Sequence, residues 1–200
     1  MVRLKIHLSL DEQAVEFCLR KNAQIRRITD SAIVFSETSP MLPHITLVMG
    51  ELVPSQSFQA LTRVTTLLAR SVKPLTLRLS QPYIDSRRYV LCDVQENPAL
   101  IELRKRLSET LKDTYLTTRE TRPYVPHLTL AHINAQQEQV NAFLNLVNVT
   151  PQMVCSQIEI SHVGPKGACV DRLFACNLAH GDDRKLDLRT HQLSIAGMPC

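Results

Sequence analysis

Tryptophan is absent from the 200 residues, and aromatic side chains make up only 4% of them. That scarcity excludes a surface that grips nucleic acid by extended base stacking, which needs a row of rings. No apolar run approaches the roughly 20 residues of a membrane-spanning helix. The opening residues, Met1-Val2-Arg3-Leu4-Lys5-Ile6-His7, alternate polar with apolar and lack the continuous apolar centre of a signal peptide. None of the six cysteines (Cys18, Cys92, Cys155, Cys169, Cys176 and Cys200) forms a C-x-x-C pair. A chain of this length builds a core without covalent staples, so they read as reduced thiols of a cytoplasmic protein. Charge of one sign is also in short supply. The net value is +4 with a pI of about 8.8, which suits a short anionic ligand rather than a long duplex.

What is present is ordinary globular material, 44% hydrophobic and 21% charged. Leu4, Ile6, Leu8 and Leu10 alternate with Arg3, Lys5, His7 and Ser9, which predicts a half-buried strand. Asp11-Glu12 open a helix to about Asn22. Ala32–Phe35 reads as a short strand. Pro54-Ser55 introduces a helix with Phe58, Leu61, Val64, Leu67 and Leu68 on one face. Strands are predicted at Leu75–Leu79 and Arg88–Val94, with a turn at Gln81-Pro82-Tyr83 between them. Asn97-Pro98 caps a helix whose apolar face is Leu100, Leu103, Leu107 and Leu111. A helix over about Ala135–Val147 precedes strands near Val154–Val163 and Val170–Leu178, joined by a turn at Gly164-Pro165-Lys166-Gly167. The fold class predicted is α+β: a duplicated domain over residues 1–178, with two antiparallel-dominated sheets and helices outside. Residues 179–200 read as a charged tail.

The duplication rests on a phrase that occurs twice. Pro43-His44-Ile45-Thr46-Leu47-Val48 recurs as Pro126-His127-Leu128-Thr129-Leu130-Ala131, with four of the six positions identical. In a strand, residues i and i+2 share a face, so each copy sets one imidazole and one hydroxyl on a polar face with apolar residues behind. Two such units facing each other give two proton-transfer groups and two hydrogen-bond donors around one cavity. One H-x-T alone is ordinarily a structural pair; its repetition points to chemistry. No cysteine or carboxylate stands at ligand spacing around either histidine, so a metal site is not expected.

This doubled motif resembles that of the two-histidine phosphoesterases, and in particular the RNA 2′,3′-cyclic phosphodiesterases, also called 2′-5′ RNA ligases. The resemblance implies a metal-independent phosphoric diester hydrolase that opens 2′,3′-cyclic phosphate ends to a 2′-phosphate, in RNA processing. It implies a bilobal fold with a central groove carrying both H-x-T motifs, no cofactor, His44 and His127 as catalytic residues, and Thr46 and Thr129 as phosphate-binding residues. It favours His127 as base and His44 as acid, although the pseudo-symmetry permits the reverse. Opening a cyclic diester needs a base for water and an acid for the leaving ribose oxygen, and two imidazoles supply both near neutrality. Two fixed hydroxyls answer the charge developing on the phosphoryl oxygens. The expected partners are RNA or oligonucleotide ends bearing a cyclic phosphate, or a cyclic nucleotide, with no membrane and with the chain a monomer. The alternatives are a 2′-5′ oligonucleotide phosphodiesterase, a cyclic nucleotide or ADP-ribose cyclic phosphodiesterase, a 2′-5′ RNA ligase, or a non-catalytic module that binds RNA ends.

Other residues are candidates for the groove. His7 shares the polar face of the first strand with Arg3 and Lys5. Tyr124 precedes the second motif, in reach of a base, though packing explains it as well. Lys166 sits in the Gly-Pro-Lys-Gly turn. Arg87, Arg88 and Arg122 are basic residues of the kind that meet phosphates. His132 lies at odd spacing from His127 and is expected to face away from it. His162 alternates with Ile158 and Ile160 and is expected in the core. His180 and His191 belong to the tail.

Overall fold

The computed structural model describes residues 2–118, 123–146 and 152–178. The expected tail at 179–200, Arg122 and the end of the helix drawn to Val147 lie outside the described residues. The strands are β1 (Arg3–Leu8), β2 (Met41–Leu42), β3 (Ile45–Leu52), β4 (Leu75–Arg78), β5 (Tyr83–Ile84), β6 (Tyr89–Asp93), β7 (Leu116–Thr117), β8 (His127–His132), β9 (Gln152–Cys155), β10 (Gln157–Val163) and β11 (Cys169–Asn177). The helices are α1 (Glu12–Arg26), α2 (Phe58–Ala69), α3 (Pro98–Leu111) and α4 (Gln137–Asn145). Three of them start where a polar side chain caps the first free N–H groups. Asp11 accepts from Ala14 N–H at 2.9 Å, Ser57 from Ala60 at 3.1 Å and Asn97 from Leu100 at 3.0 Å.

The α+β architecture is as expected, and every strand pairing among the described residues is antiparallel. The two sheets are very unequal. One has nine strands in the order β2-β11-β10-β1-β3-β8-β6-β5, with β7 also on β3; the other is the pair β4-β9. Of the last described strands, β10 returns to pair with β1, and β11 lies beyond it. Leu100, Leu103, Leu107 and Leu111 of α3 are buried, as the heptad-like spacing predicts. The helices cross between the halves: α1 packs on β8, whereas α3 packs on β3.

The strand expected at Ala32–Phe35 is absent. Only its first residue bonds to a strand, the Ala32 N–H donating to the His132 carbonyl of β8 at 2.9 Å; side chains take most of the rest. Asn22, fully buried on α1, donates to the Ile33 carbonyl at 2.9 Å and accepts the Phe35 N–H at 3.0 Å. Its amide also donates to the Leu130 carbonyl of β8 at 2.8 Å. Tyr83, read as part of a turn, begins β5, and the single strand expected from Val154 is divided into β9 and β10 at Ser156. No helix among the described residues is long and apolar enough to cross a membrane.

Candidate active site

β3 and β8 are neighbours in the large sheet, joined at the pair Ile45 and Leu128. Those two side chains are fully buried, as are Leu47 and Leu130. Extending that register by one residue each way sets His44 across from Thr129 and Thr46 across from His127. All four line one cleft of about 810 Å³. The duplicated motif has thus brought its two copies side by side, as the period-two reading requires.

The two histidines are held alike. His44 donates its Nδ1–H to the Leu42 carbonyl at 2.8 Å, and His127 donates its own to the Val125 carbonyl at 2.8 Å. A carbonyl only accepts, so each bond fixes the tautomer and leaves Nε2 as the working nitrogen. The proline of each motif holds the preceding residue extended, which presents these carbonyls two positions back.

Each motif also carries a β-bulge at the same place. On β3, His7 faces Thr46 and Ile6 faces Val48, so Leu47 is the unpaired extra residue. On β8, Leu91 faces Thr129 and Val90 faces Ala131, so Leu130 is the extra residue. In both copies the bulge follows the threonine directly and resets which residues point into the cleft. One consequence corrects the expectation for His132. Beyond the bulge its parity is reversed, and it pairs with Tyr89, whose ring it meets edge-on at 4.6 Å on the cleft side.

His7 also departs from expectation. Its pairing with Thr46 places it on the cleft side, but it is fully buried and does not line the cleft. The His44 ring covers it, with centroids 5.1 Å apart. His7 Nε2 instead meets Ser161 Oγ at 2.9 Å, with Glu159 at 3.9 Å, and Glu159 is held by Arg172 at 3.0 Å. Burial above all, then the Lys5 charge, depresses its pKa to about 3.

Tyr124 lines the cleft and its hydroxyl donates to the Thr46 carbonyl at 2.8 Å, tying the second motif's approach to the first motif. Arg104 lies over its ring at 4.8 Å. Lys166 lines the cleft from a turn in which it takes a left-handed φ of 53°, and its carbonyl accepts from Tyr89 Oη at 3.2 Å. Arg87 also lines the cleft, paired with Asp85 at 3.0 Å, whereas Arg88 is spent on the Asn134 carbonyl at 2.7 Å. His162 is not in the core. A register shift between Ser161 and His162 brings it to the surface, 3.7 Å from Asp171.

The residue that sequence reasoning undervalued is Lys5. Its alternation with Ile6 gave the correct face, but nothing in the pattern marks it as a neighbour of His44. Lys5 is buried on β1, lines the cleft and sets Nζ 3.1 Å from His44 Nε2. The same ammonium donates to the Gly167 carbonyl. An alkylammonium is intrinsically more basic than imidazole by about four pKa units; burial lowers the Lys5 pKa and the His44 pKa alike, so that order is kept, the proton between them sits on Lys5 and His44 Nε2 accepts. Burial first, then the charges of Lys5, His7 and His127, hold the His44 pKa well below the ordinary imidazole value; the bond to Leu42 opposes them. No group of three His, Cys, Asp or Glu side chains among the described residues is placed to hold a metal ion.

The sequence profile of the 2′-5′ RNA ligase superfamily matches residues 22–161. No curated protein matches the chain in sequence. Among solved structures, TT0787 of Thermus thermophilus superposes with a TM-score of 0.63 at 18% identity, covering 90% of this chain and 100% of its own. Escherichia coli LigT complexed with 3′-AMP gives a TM-score of 0.63 at 18% identity over 90% of this chain and 99% of LigT. The MHV ns2 PDE domain gives 0.54 at 14% identity over 80% and 99%. At these identities the likeness is one of fold.

Proposed function

The chain belongs to the 2′-5′ RNA ligase superfamily, and on that premise we propose that it is a metal-independent phosphodiesterase that opens 2′,3′-cyclic phosphate ends of RNA or oligonucleotides to a 2′-phosphate. The observation that carries this reading is the paired geometry. Two histidines, each with Nδ1 tied to a carbonyl, and two threonines line one cleft from adjacent antiparallel strands. Nucleotide-sized ligands suit the reading, since the similar LigT fold has been crystallised with 3′-AMP.

In this mechanism His44 is the base and His127 the acid, the reverse of the order the resemblance favours. A base must be neutral before it acts, and burial beside the Lys5 ammonium keeps His44 neutral. His44 Nε2 takes a proton from water as the oxygen attacks phosphorus. His127 protonates the ribose oxygen as its bond to phosphorus breaks. The Thr46 and Thr129 hydroxyls donate to the non-bridging oxygens where charge accumulates. The unbroken run of strands from β2 to β5 supports residues 1–178 as one working unit, proposed to act as a cytoplasmic monomer.

The test is a substrate panel with excess chelator: cyclic-phosphate-ended RNA, cyclic mononucleotides, ADP-ribose cyclic phosphate and 2′-5′-linked oligonucleotides, with the product isomer identified. Chelator-resistant conversion of the cyclic RNA end to a 2′-phosphate is expected. A rate confined to 2′-5′ linkages, or one abolished by chelator, overturns the proposal.

A further inference from the structure

Lys5 poses a problem of charge. It is a buried cation, and among the described residues it forms no ion pair. Both of its acceptors, the His44 imidazole and the Gly167 carbonyl, are neutral. Burial works against its charged form, and the group that works for it, the Cys169 thiol, is itself pushed up to about 12 by burial and so is uncharged at neutral pH. A buried ammonium without a counter-charge is costly unless an anion is meant to meet it. Lys5 also occupies Nε2 of His44, the atom that has to be vacant for a proton.

We propose that the Lys5 ammonium is a third phosphate-binding group of the site: it bonds His44 Nε2 until a substrate's phosphoryl oxygen draws it off, which frees Nε2 of His44 to take the proton. This rests on the reading of the cleft as a phosphodiester site. The exchange is favourable because an ammonium-to-phosphate bond is charge-assisted on both sides, whereas a neutral imidazole assists only from one. It makes no covalent bond: one hydrogen bond is traded for another, and the proton stays on Lys5. It also couples base and substrate, since Nε2 is released only when an anion has arrived. The bond to the Gly167 carbonyl, from the Pro165–Gly167 turn, keeps the ammonium at the cleft during the exchange.

The test uses the whole chain with inorganic phosphate as probe, so it does not depend on turnover. In protein labelled with nitrogen-15 histidine, phosphate is expected to move the Nε2 resonance of His44. Calorimetry is expected to show phosphate binding weakened at least about ten-fold by Lys5→Met, with most of the affinity kept by Lys5→Arg, on the scale of one charge-assisted bond. Undiminished phosphate binding by a folded Lys5→Met variant overturns the proposal and leaves Lys5 as a prop for His44. Should Lys5→Met fail to fold, the unmodified chain decides: an Nε2 resonance that ignores saturating phosphate overturns the proposal equally. Phosphate behaving as expected, with no turnover of cyclic-phosphate RNA, would instead sink the reading of the reaction and leave Lys5 as an anion contact.

Discussion

Replacing Asn22 by alanine should cost about 4 kcal/mol of stability, and the figure follows from which groups lose their partners. The side chain makes three buried hydrogen bonds, to the Ile33 and Leu130 carbonyls and from the Phe35 N–H. Ile33 keeps a second donor, Ser31 Oγ at 2.7 Å. Leu130 is the extra residue of the β8 bulge and is skipped by the ladder to β6, so its carbonyl loses the partner this side chain supplies. The Phe35 N–H is left in the same position. Two buried groups without partners cost about 1–3 kcal/mol each, hence about 4 together. Asn22→Asp should be worse, since it aims a carboxylate at two carbonyls. Urea unfolding measures both, with a lowered midpoint at unchanged slope. Turnover of the folded fraction should fall as well, because the bulge adjoins Thr129. A loss below about 1 kcal/mol for Asn22→Ala would refute the claim that this side chain satisfies the bulge.

His44→Ala and His127→Ala should each slow the chemical step by about 100- to 10,000-fold in single-turnover assays, with the double variant far from multiplicative; full turnover by either folded single variant ends the two-histidine mechanism. Thr46→Val or Thr129→Val should lower the rate about 100-fold while circular dichroism is unchanged; unaltered rates in both assign the hydroxyls to structure. Activity against pH should be bell-shaped, with its acid limb below the ordinary imidazole range. Burial, Lys5 and His7 from β1, and His127 from β8 all oppose protonation of His44, against the Leu42 carbonyl alone. An acid limb at or above the usual histidine value would return the role of base to His127. Stability should decline as pH falls from about 6.5 towards 3: the unfolded chain protonates His7 near the former value, the folded chain only near about 3, so acid favours unfolding. A thermal midpoint that is flat across that window contradicts the burial of a neutral His7.

The doubled motif was legible because a strand's period of two converts spacing directly into a shared face, and Asn97-Pro98 marked its helix start because capping is local chemistry. The bulges were not legible. Leu47 and Leu130 look like any strand leucine, with no glycine or proline beside them, yet each resets the alternation and one of them turned His132 to the cleft side. Alternation placed Lys5 and His7 on the correct face of β1 but is silent on depth, so it could not tell that His44 would cover one and bond to the other. The segment at Ala32–Phe35 has strand composition, and the competitors that won were side chains: Asn22, Ser31 and Ser39 bond its backbone groups. β5 and β7 have two residues each, too few to show a period.

The place of β1 between β3 and β10 sets the timetable on which this chain completes itself during synthesis. One edge of β1 is covered once β3 has emerged; the other waits for Gln157–Val163. At ribosomal speeds that interval is roughly 5 to 20 s. Throughout it the nascent sheet presents a row of unpaired backbone groups beside Leu4, Ile6 and Leu8, three side chains wholly buried in the finished protein. The strand that carries Lys5 is thus among the first made and among the last protected. A ribosome stalled before residue 157 releases an open-edged chain rather than a half-enzyme.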